Sequence, residues 1–222
     1  MLRSLQVLIF LLLCLGITSA QSPQPANFAP QPVITFTLDF PHSQPEHYSI
    51  RIPSTGTAQY QSNGRISADS DVADDFTFDF TLSPETQAKI FTLTRKADYF
   101  RKDLDSHRKN LAFTGKKTLR YEDVTRTEES TYNLSLNPAA AELTTLMQNL
   151  SATLEFGHRL SYDLRYQKLA LNQELSRMQQ MADSQMLVEV AAIRPILEQI
   201  TADPSVMNIA RARAQHLLDS VR

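Results

Sequence analysis

Two carboxylates occupy the same position in two closely similar stretches of the chain. Asp39 lies in FTLDF (Phe36–Phe40) and Asp79 lies in FTFDF (Phe76–Phe80). If the two stretches were neighbouring strands, the carboxylates could lie within about 10 Å and act as the acid and base of a hydrolase. Alternation places both carboxylates opposite the aromatic residues, however. The favoured interpretation is therefore a pair of solvent-facing aspartates without a catalytic function.

Four further aspartates are clustered in DSDVADD, at Asp69, Asp71, Asp74 and Asp75. Carboxylate oxygens are ligands for calcium, but the cluster lacks the glycine turn and the distal glutamate of an EF-hand. We expect a solvated turn between two strands rather than a metal site. The chain has five scattered histidines and a single cysteine, so no zinc site is predicted either.

The glycine content argues against several common enzyme classes. Phosphate-binding loops and dinucleotide fingerprints need closely spaced glycines, which the chain lacks, and no G-x-S-x-G motif is present. Lys and Arg number 22 against 24 Asp and Glu. That balance lacks the excess of positive charge that is typical of nucleic-acid-binding proteins. No cofactor and no nucleic-acid partner are therefore expected.

The first 20 residues have the composition of a secretory signal peptide. Arg3 precedes an apolar run, Val7–Ile17, which is shorter than the about 20 residues of a transmembrane helix, and small residues end the segment at Ala20. Cys14, the only cysteine, falls inside it. We predict cleavage after Ala20 and a periplasmic or extracellular location, with membrane contact only before cleavage. A retained membrane anchor is the alternative.

Periodicity separates the remaining chain into strands and then helices. From residue 33 to 136 apolar and polar residues alternate, which is typical of half-buried strands in an antiparallel sheet. Strands are predicted at 33–40, 47–52, 57–60, 76–82, 111–113, 118–122 and 131–136.

Helices are predicted where a capping side chain precedes a proline, at Ser83, Asn137 and Asp203. Pro195 must begin or kink another helix. The ambiguous stretch LSYDLRY is assigned to a helix because strong helix formers surround it.

The predicted fold class is α+β, an N-terminal antiparallel sheet with one packed helix followed by an all-helical region. The boundaries are a signal peptide at 1–20, a proline-rich flexible leader at 21–32, a sheet domain at 33–136 and a helical region at 137–222.

Two segments, HYSIRIPSTGTAQY and FTLSPETQAKIFTLTRKADYF, together resemble a bacterial exported domain family of unknown function. In that family a hairpin of the form Y-S-x-x-I-x-x-x-G-T-x-x-Y precedes a strand and a helix that ends in an aromatic pair. Here the pattern covers Tyr48–Tyr60 and Ser83–Phe100, and the strands to residue 136 extend it. The family's frequent cysteine-containing stretch is replaced by DFPHSQPE. The C-terminal DPSVMNIARARAQHLL resembles the paired helices of HEAT-type repeats. The resemblance implies an exported bacterial protein and supplies no catalytic residue.

The leading interpretation is a non-enzymatic exported protein that contacts another protein or an envelope component. Four side chains on one helix exceed the apolar surface that one sheet needs to cover, and they are the candidate contact residues: Leu160, Tyr162, Leu164 and Tyr166. A homo-oligomer is a further option. The first alternative function is the hydrolase that uses Asp39 and Asp79. The second is a carrier with a cavity of at least about 300 Å³ for an apolar ligand between sheet and helices.

Overall fold

A computed structural model of the chain describes residues 31–65 and 72–220. The strands are β1 (Val33–Asp39), β2 (His47–Pro53), β3 (Thr57–Arg65), β4 (Ala73–Thr81), β5 (Lys116–Glu122) and β6 (Thr127–Tyr132). They form one antiparallel sheet in the order β4-β3-β2-β1-β5-β6, so β4 and β6 are its edges. The predicted signal peptide, the leader up to residue 30, Asp69 and Asp71 lie outside the described residues.

The helices follow the strands, with one exception. Helix α1 (Pro84–Lys96) lies between β4 and β5 in the chain, and α2 (Pro138–Tyr166), α3 (Leu171–Asp183), α4 (Arg194–Ala202) and α5 (Asn208–Asp219) come after β6. Short 3₁₀ turns occupy Asp98–Phe100 and Val190–Ile193. The fold is therefore α+β, as predicted. Within residues 31–65 and 72–220, no helix combines the length and the apolar character needed to cross a bilayer.

The two faces of the sheet differ sharply in polarity. One face carries apolar side chains of the central strands, and Phe36, Ile50 and Tyr60 on it are completely buried. The opposite face carries polar side chains such as Arg51 and Asp79, which are exposed. The two stretches FTLDF and FTFDF thus share one arrangement, with aromatic side chains on the apolar face of the sheet and the aspartate on the polar face. They differ in position, since Phe36 lies on a central strand whereas Phe76 and Phe78 lie on an edge.

Helix α2 crosses the full width of the sheet. Its polar contacts to the strands are spaced seven residues apart: Thr144 with Tyr132 of β6, Ser151 with Tyr60 of β3, and His158 with Asp74 of β4. Seven residues are two helical turns, so the three contacts share one face. Fourteen residues of helix rise about 21 Å, and five strand spacings measure about 24 Å. The length of α2 therefore matches the width of the sheet that it covers.

One hydrophobic core joins the sheet to the helices. It is continuous from Ile34 of β1 through Leu150 of α2 to Leu217 of α5. The predicted boundary at residue 137 therefore marks a change of secondary structure within a shared core.

Two of the three predicted helix caps are confirmed. Ser83 accepts a hydrogen bond from the Thr86 amide at the start of α1, and Asn137 accepts hydrogen bonds from two amides at the start of α2. The third prediction is wrong. Asp203 bonds Ser205 and Lys168 instead, and α5 begins at Asn208.

Two predicted strands are also corrected. Residues 111–113 form no strand, and the last strand ends at Tyr132 rather than at residue 136. Beyond Tyr132, Ser135 forms only an isolated bridge with Asp105. The chain must leave the sheet there because Asn137 caps α2, which begins at Pro138.

Candidate functional site

A groove lies between the edge strand β4 and helices α2 and α4. Its volume is about 490 Å³. The apolar part of its wall comes from four elements: Phe76 and Phe78 of β4, Leu154 and Leu164 of α2, Ile193 of the 3₁₀ turn, and Ile196 of α4. Clefts of this size and character are typical of small-molecule sites.

Close approach of α2 to the 3₁₀ turn shapes the base of the groove. Gly157 faces Ile193, and a Cβ atom added at this glycine would lie 2.5 Å from the Ile193 Cγ2 atom. No side chain larger than hydrogen fits that space without movement of the isoleucine. The helical backbone conformation at residue 157 would accept any residue. Packing against Ile193 is therefore the reason that glycine is needed here.

His158 fixes the aromatic wall of the groove. Its ring stacks on Phe76, with ring centroids 4.0 Å apart and an interplanar angle of 21°. Its Nε2 atom lies 2.6 Å from Oδ2 of Asp74, and both side chains are about a quarter exposed. Phe78 stacks in turn on Phe76, with centroids 5.9 Å apart. The edge strand and α2 are thus held together by a stacked and hydrogen-bonded contact.

The histidine–aspartate pair lacks the nucleophile of a hydrolytic triad. Ser161 is one turn away on α2, but its hydroxyl donates to the Gly157 carbonyl at 2.7 Å. Among the described hydrogen bonds, none joins Ser161 to His158. A serine activated for attack must donate to the histidine ring. The arrangement therefore favours a positioning contact over acyl-transfer chemistry.

Polar groups stand at one side of the groove. Ser161, Arg165 and Gln199 are exposed there. Among the ion pairs between described residues, none involves Arg165, and its guanidinium lies 5.2 Å from the Tyr166 ring centroid. The groove thus combines an apolar wall with an uncompensated positive charge at its mouth.

A second polar cluster beneath α2 belongs to the core. The Tyr60 hydroxyl donates to Glu155 at 2.7 Å and also contacts Ser151, while the Ser62 hydroxyl donates to the same glutamate oxygen. Burial, followed by the charge of Glu155, raises the pKa of Tyr60 far above its ordinary value. Every polar atom in this cluster has a partner, which is the requirement for a stable buried network.

The structure does not bring Asp39 and Asp79 together. Asp39 is on β1 and Asp79 is on β4, with β2 and β3 between them. Following the register, Asp79 is level with Thr35, four residues from Asp39. Three strand spacings and four residues along a strand give a separation of about 20 Å. The shared site that a two-carboxylate hydrolase needs is therefore not formed.

Each of these aspartates has an ordinary partner on the open face of the sheet. Asp39 lies 2.5 Å from His47, and their side chains are 45% and 42% exposed. Asp79 accepts a hydrogen bond from Gln59 at 2.9 Å. Although Asp39 does have a histidine beside it, the pair is on an open surface rather than in a cleft.

The predicted acidic turn is partly a strand. Asp74 and Asp75 belong to β4, which pairs with β3 as far as Ala73. Asp75 points to solvent, whereas Asp74 faces the helices and binds His158. Throughout residues 31–65 and 72–220, no group of three or more His, Cys, Asp or Glu side chains is placed to hold a metal.

The four predicted contact residues of α2 do not form one surface. Leu160 is completely buried in the core, so it cannot contact a partner in this fold. Leu164 lines the groove, Tyr162 is half-buried, and only Tyr166 is largely exposed, at 61%. The two tyrosine rings contact each other, with centroids 5.0 Å apart. Most of the apolar excess is therefore used by the core and the groove.

The groove residues of the second 3₁₀ turn and of α4 could not be identified from the sequence. Ile193, Ile196 and Gln199 are far from β4 in the chain, and helical spacing shows only that they share a face. One signal was available at Gly157, because a glycine inside a strongly helical segment marks a close packing contact.

Comparison with known proteins gives no independent assignment. No protein-family model matches the chain, and no curated protein matches it in sequence.

Proposed function

We propose that the protein is a non-enzymatic exported protein that binds a small amphiphilic anion in the groove between β4, α2 and α4. The observation that carries the proposal is the groove itself, with about 490 Å³ of space between an apolar wall and the exposed Arg165. An apolar body would cover Phe76 and Phe78, and an anionic end would reach the guanidinium. Apolar sites with few convergent polar groups are typical of small-ligand pockets.

Pre-organisation supports this function. The stack of His158 on Phe76 and the contact between Gly157 and Ile193 fix the wall through contacts within the chain. A preformed site avoids the conformational cost of ordering side chains on binding. The hydroxyl of Ser161 donates to the backbone, so binding rather than hydrolysis is the function that the geometry favours.

Binding can be tested with two probes of the proposed chemistry. The fluorophore 8-anilinonaphthalene-1-sulfonate and the fatty acid dodecanoate both carry an apolar body and one anionic group. The chain from Gln21 onward contains every described residue and serves as the wild-type protein. We expect saturable binding of the fluorophore, displacement by dodecanoate, and weaker displacement by dodecylamine. Absence of binding by either anion would contradict the proposal.

The first variant fills the groove with a large side chain. Ser161→Trp places a bulky side chain in the groove from an exposed position, and we expect affinity to fall by at least about tenfold. Thr145→Trp is the matched control, because Thr145 is exposed on the same helix and lines none of the described cavities. Equal affinities of the two variants would place the binding elsewhere.

The second variant reverses the charge of Arg165 in the groove. Arg165→Glu replaces attraction by repulsion and should weaken dodecanoate binding by about fivefold, while Arg95→Glu on α1 should leave it unchanged. Circular dichroism of each variant shows whether the fold is retained.

Export is tested separately, since the secreted chain should begin at Gln21. A chain that keeps its first residues in the cell envelope would favour the retained anchor.

A further inference from the structure

A second surface, outside the groove, exposes apolar side chains, although the Phe113 ring also packs edge-on against Phe40, with ring centroids 5.8 Å apart. We call it the loop patch, and its apolar members are Leu111, Phe113, Leu134 and Leu136. Phe113 and Leu136 are each 55% exposed. The residues come from two adjacent segments, because the side chain of Asn133 forms hydrogen bonds with the backbone of Thr114 and Ala112. Contiguous exposed apolar residues on a folded protein commonly mark a contact surface.

Hydrogen bonds hold the loop patch in this conformation. The Asn133 side chain accepts from the Thr114 amide at 2.9 Å and donates to the Ala112 carbonyl at 3.0 Å. The buried Lys117 ammonium donates to the carbonyls of Thr114, Gly115 and Asn133. The backbone on either side of Phe113 is therefore fixed by polar contacts. The Phe113 ring is therefore exposed in a backbone conformation that hydrogen bonds hold in place.

The segment before and after Phe113 is the basic part of an otherwise acidic chain. Residues 101–117 contain six Lys or Arg and two Asp, whereas the chain as a whole has more acidic than basic residues. Three cations next to the apolar residues are exposed and form no ion pair among the described residues: Arg108, Lys109 and Lys116. The acidic neighbours are already engaged, since Asp103 binds His107 and Asp105 accepts from the Asn133 amide.

Although the sequence predicts membrane contact only before cleavage, we propose that the loop patch docks the folded protein on the surface of an anionic phospholipid bilayer. Phe113, Leu111 and Leu136 would enter the interfacial region, and Arg108 and Lys109 would contact lipid phosphates. Insertion of apolar side chains combined with flanking basic residues is the pattern of proteins bound to the membrane surface. A nucleic acid would use the cations but leave the aliphatic side chains in water, and an acidic protein partner would need a larger apolar area.

Vesicle cosedimentation tests the proposal with the chain from Gln21 onward. We expect binding to vesicles that contain phosphatidylglycerol, little binding to pure phosphatidylcholine, and release of the protein as salt is raised. Equal binding to both vesicle types, or binding to soluble dextran sulfate without binding to vesicles, would overturn it. So would a patch that forms a dimer in solution and leaves vesicles unbound.

The apolar contribution is tested by Leu111→Ser with Phe113→Ser. Loss of two inserted side chains should weaken vesicle binding by about tenfold or more. Leu169→Ser with Ile209→Ser is the matched control, because both of those residues are exposed apolar side chains outside the patch. Equal loss in the two pairs would show that the patch has no special role.

The electrostatic contribution is tested by Arg108→Gln with Lys109→Gln. Each basic residue near an anionic surface contributes about fivefold, so the pair should lower binding by about 25-fold. Arg95→Gln with Lys96→Gln removes an adjacent exposed basic pair from α1 and should have little effect. These positions are exposed and should leave the circular dichroism spectrum unchanged. An unaltered affinity for phosphatidylglycerol vesicles would refute the proposal.

Discussion

Gly157→Ala is the sharpest test of how the groove is built. In a helix interior, alanine is favoured over glycine by about 0.5–1 kcal/mol. Here the new Cβ atom would lie 2.5 Å from Cγ2 and 3.1 Å from Cβ of Ile193. Overpacking of this kind costs about 1–3 kcal/mol. The free energy of unfolding should therefore fall by about 0–2.5 kcal/mol, with a central value near 1 kcal/mol that lowers Tm by about 2–4 °C for a chain of this size.

Urea unfolding followed by circular dichroism measures the effect, and a second substitution identifies its cause. Ile193→Ala removes the clashing methyl group and costs about 2–4 kcal/mol alone by leaving a cavity. Gly157→Ala should be less harmful in that background, giving a favourable coupling of about 1–2 kcal/mol. Thr145→Ala on the exposed face of α2 is the control for helix propensity. A Gly157→Ala variant that is more stable than the wild type would refute the tight contact.

Three further predictions concern the elements around the groove. Tyr60→Phe should lower the free energy of unfolding by about 1–3 kcal/mol, because Glu155 and Ser151 lose a buried partner; urea unfolding measures it. Asn137→Ala should cost about 1 kcal/mol by freeing two amides at the start of α2, visible as a lower Tm. Burial, reinforced by the charge of Glu174, raises the pKa of Asp163 from 3.8 to about 6. Between pH 3.8 and about 6, Asp163 keeps its proton in the folded state but has lost it in the unfolded chain. The stability that Asp163 contributes therefore falls as the pH rises through this range. Asp163→Asn should consequently stabilise the protein at a pH of about 7.5, by about 1 kcal/mol after solvent screening, and should change little at a pH of about 3.5. Parallel urea titrations at the two pH values measure the difference.

Periodicity was sufficient to predict the fold class and most of the strands, because alternation reports directly which residues face a core. Phe36 and Ile50 are completely buried as that pattern requires. The caps at Ser83 and Asn137 were predictable for a similar reason, since their geometry is local. Asp203 has the same signature, but its carboxylate is taken by Ser205 and Lys168. A distant lysine is not visible in a local motif.

A cavity between the sheet and the helices is one of the alternatives that the sequence offers, and the groove of about 490 Å³ has that position and size. Its lining residues could not be predicted, because alternation gives the face of a strand and not what covers that face. Phe76 and Phe78 follow the same alternation as Phe36, so the pattern predicts the same degree of burial for all three side chains. Phe76 and Phe78 are half-buried because β4 is the edge strand, where α2 ends its crossing of the sheet at His158. The lining from Ile193 then depends on a contact between residues that are distant in the chain.

Helix α2 separates the two proposed sites and gives them independent tests. It begins at Pro138, immediately after Leu136 of the loop patch, and reaches the groove at His158. Four strand spacings, about 19 Å, lie between β5 beside the patch and β4 beside the groove. Substitutions that far apart with no shared partner contribute additively. A ligand in the groove therefore needs no change at Phe113, and a bilayer at the patch leaves the mouth at Arg165 open. Loss of vesicle binding with retained dodecanoate binding, or the reverse, would bear on one proposal alone.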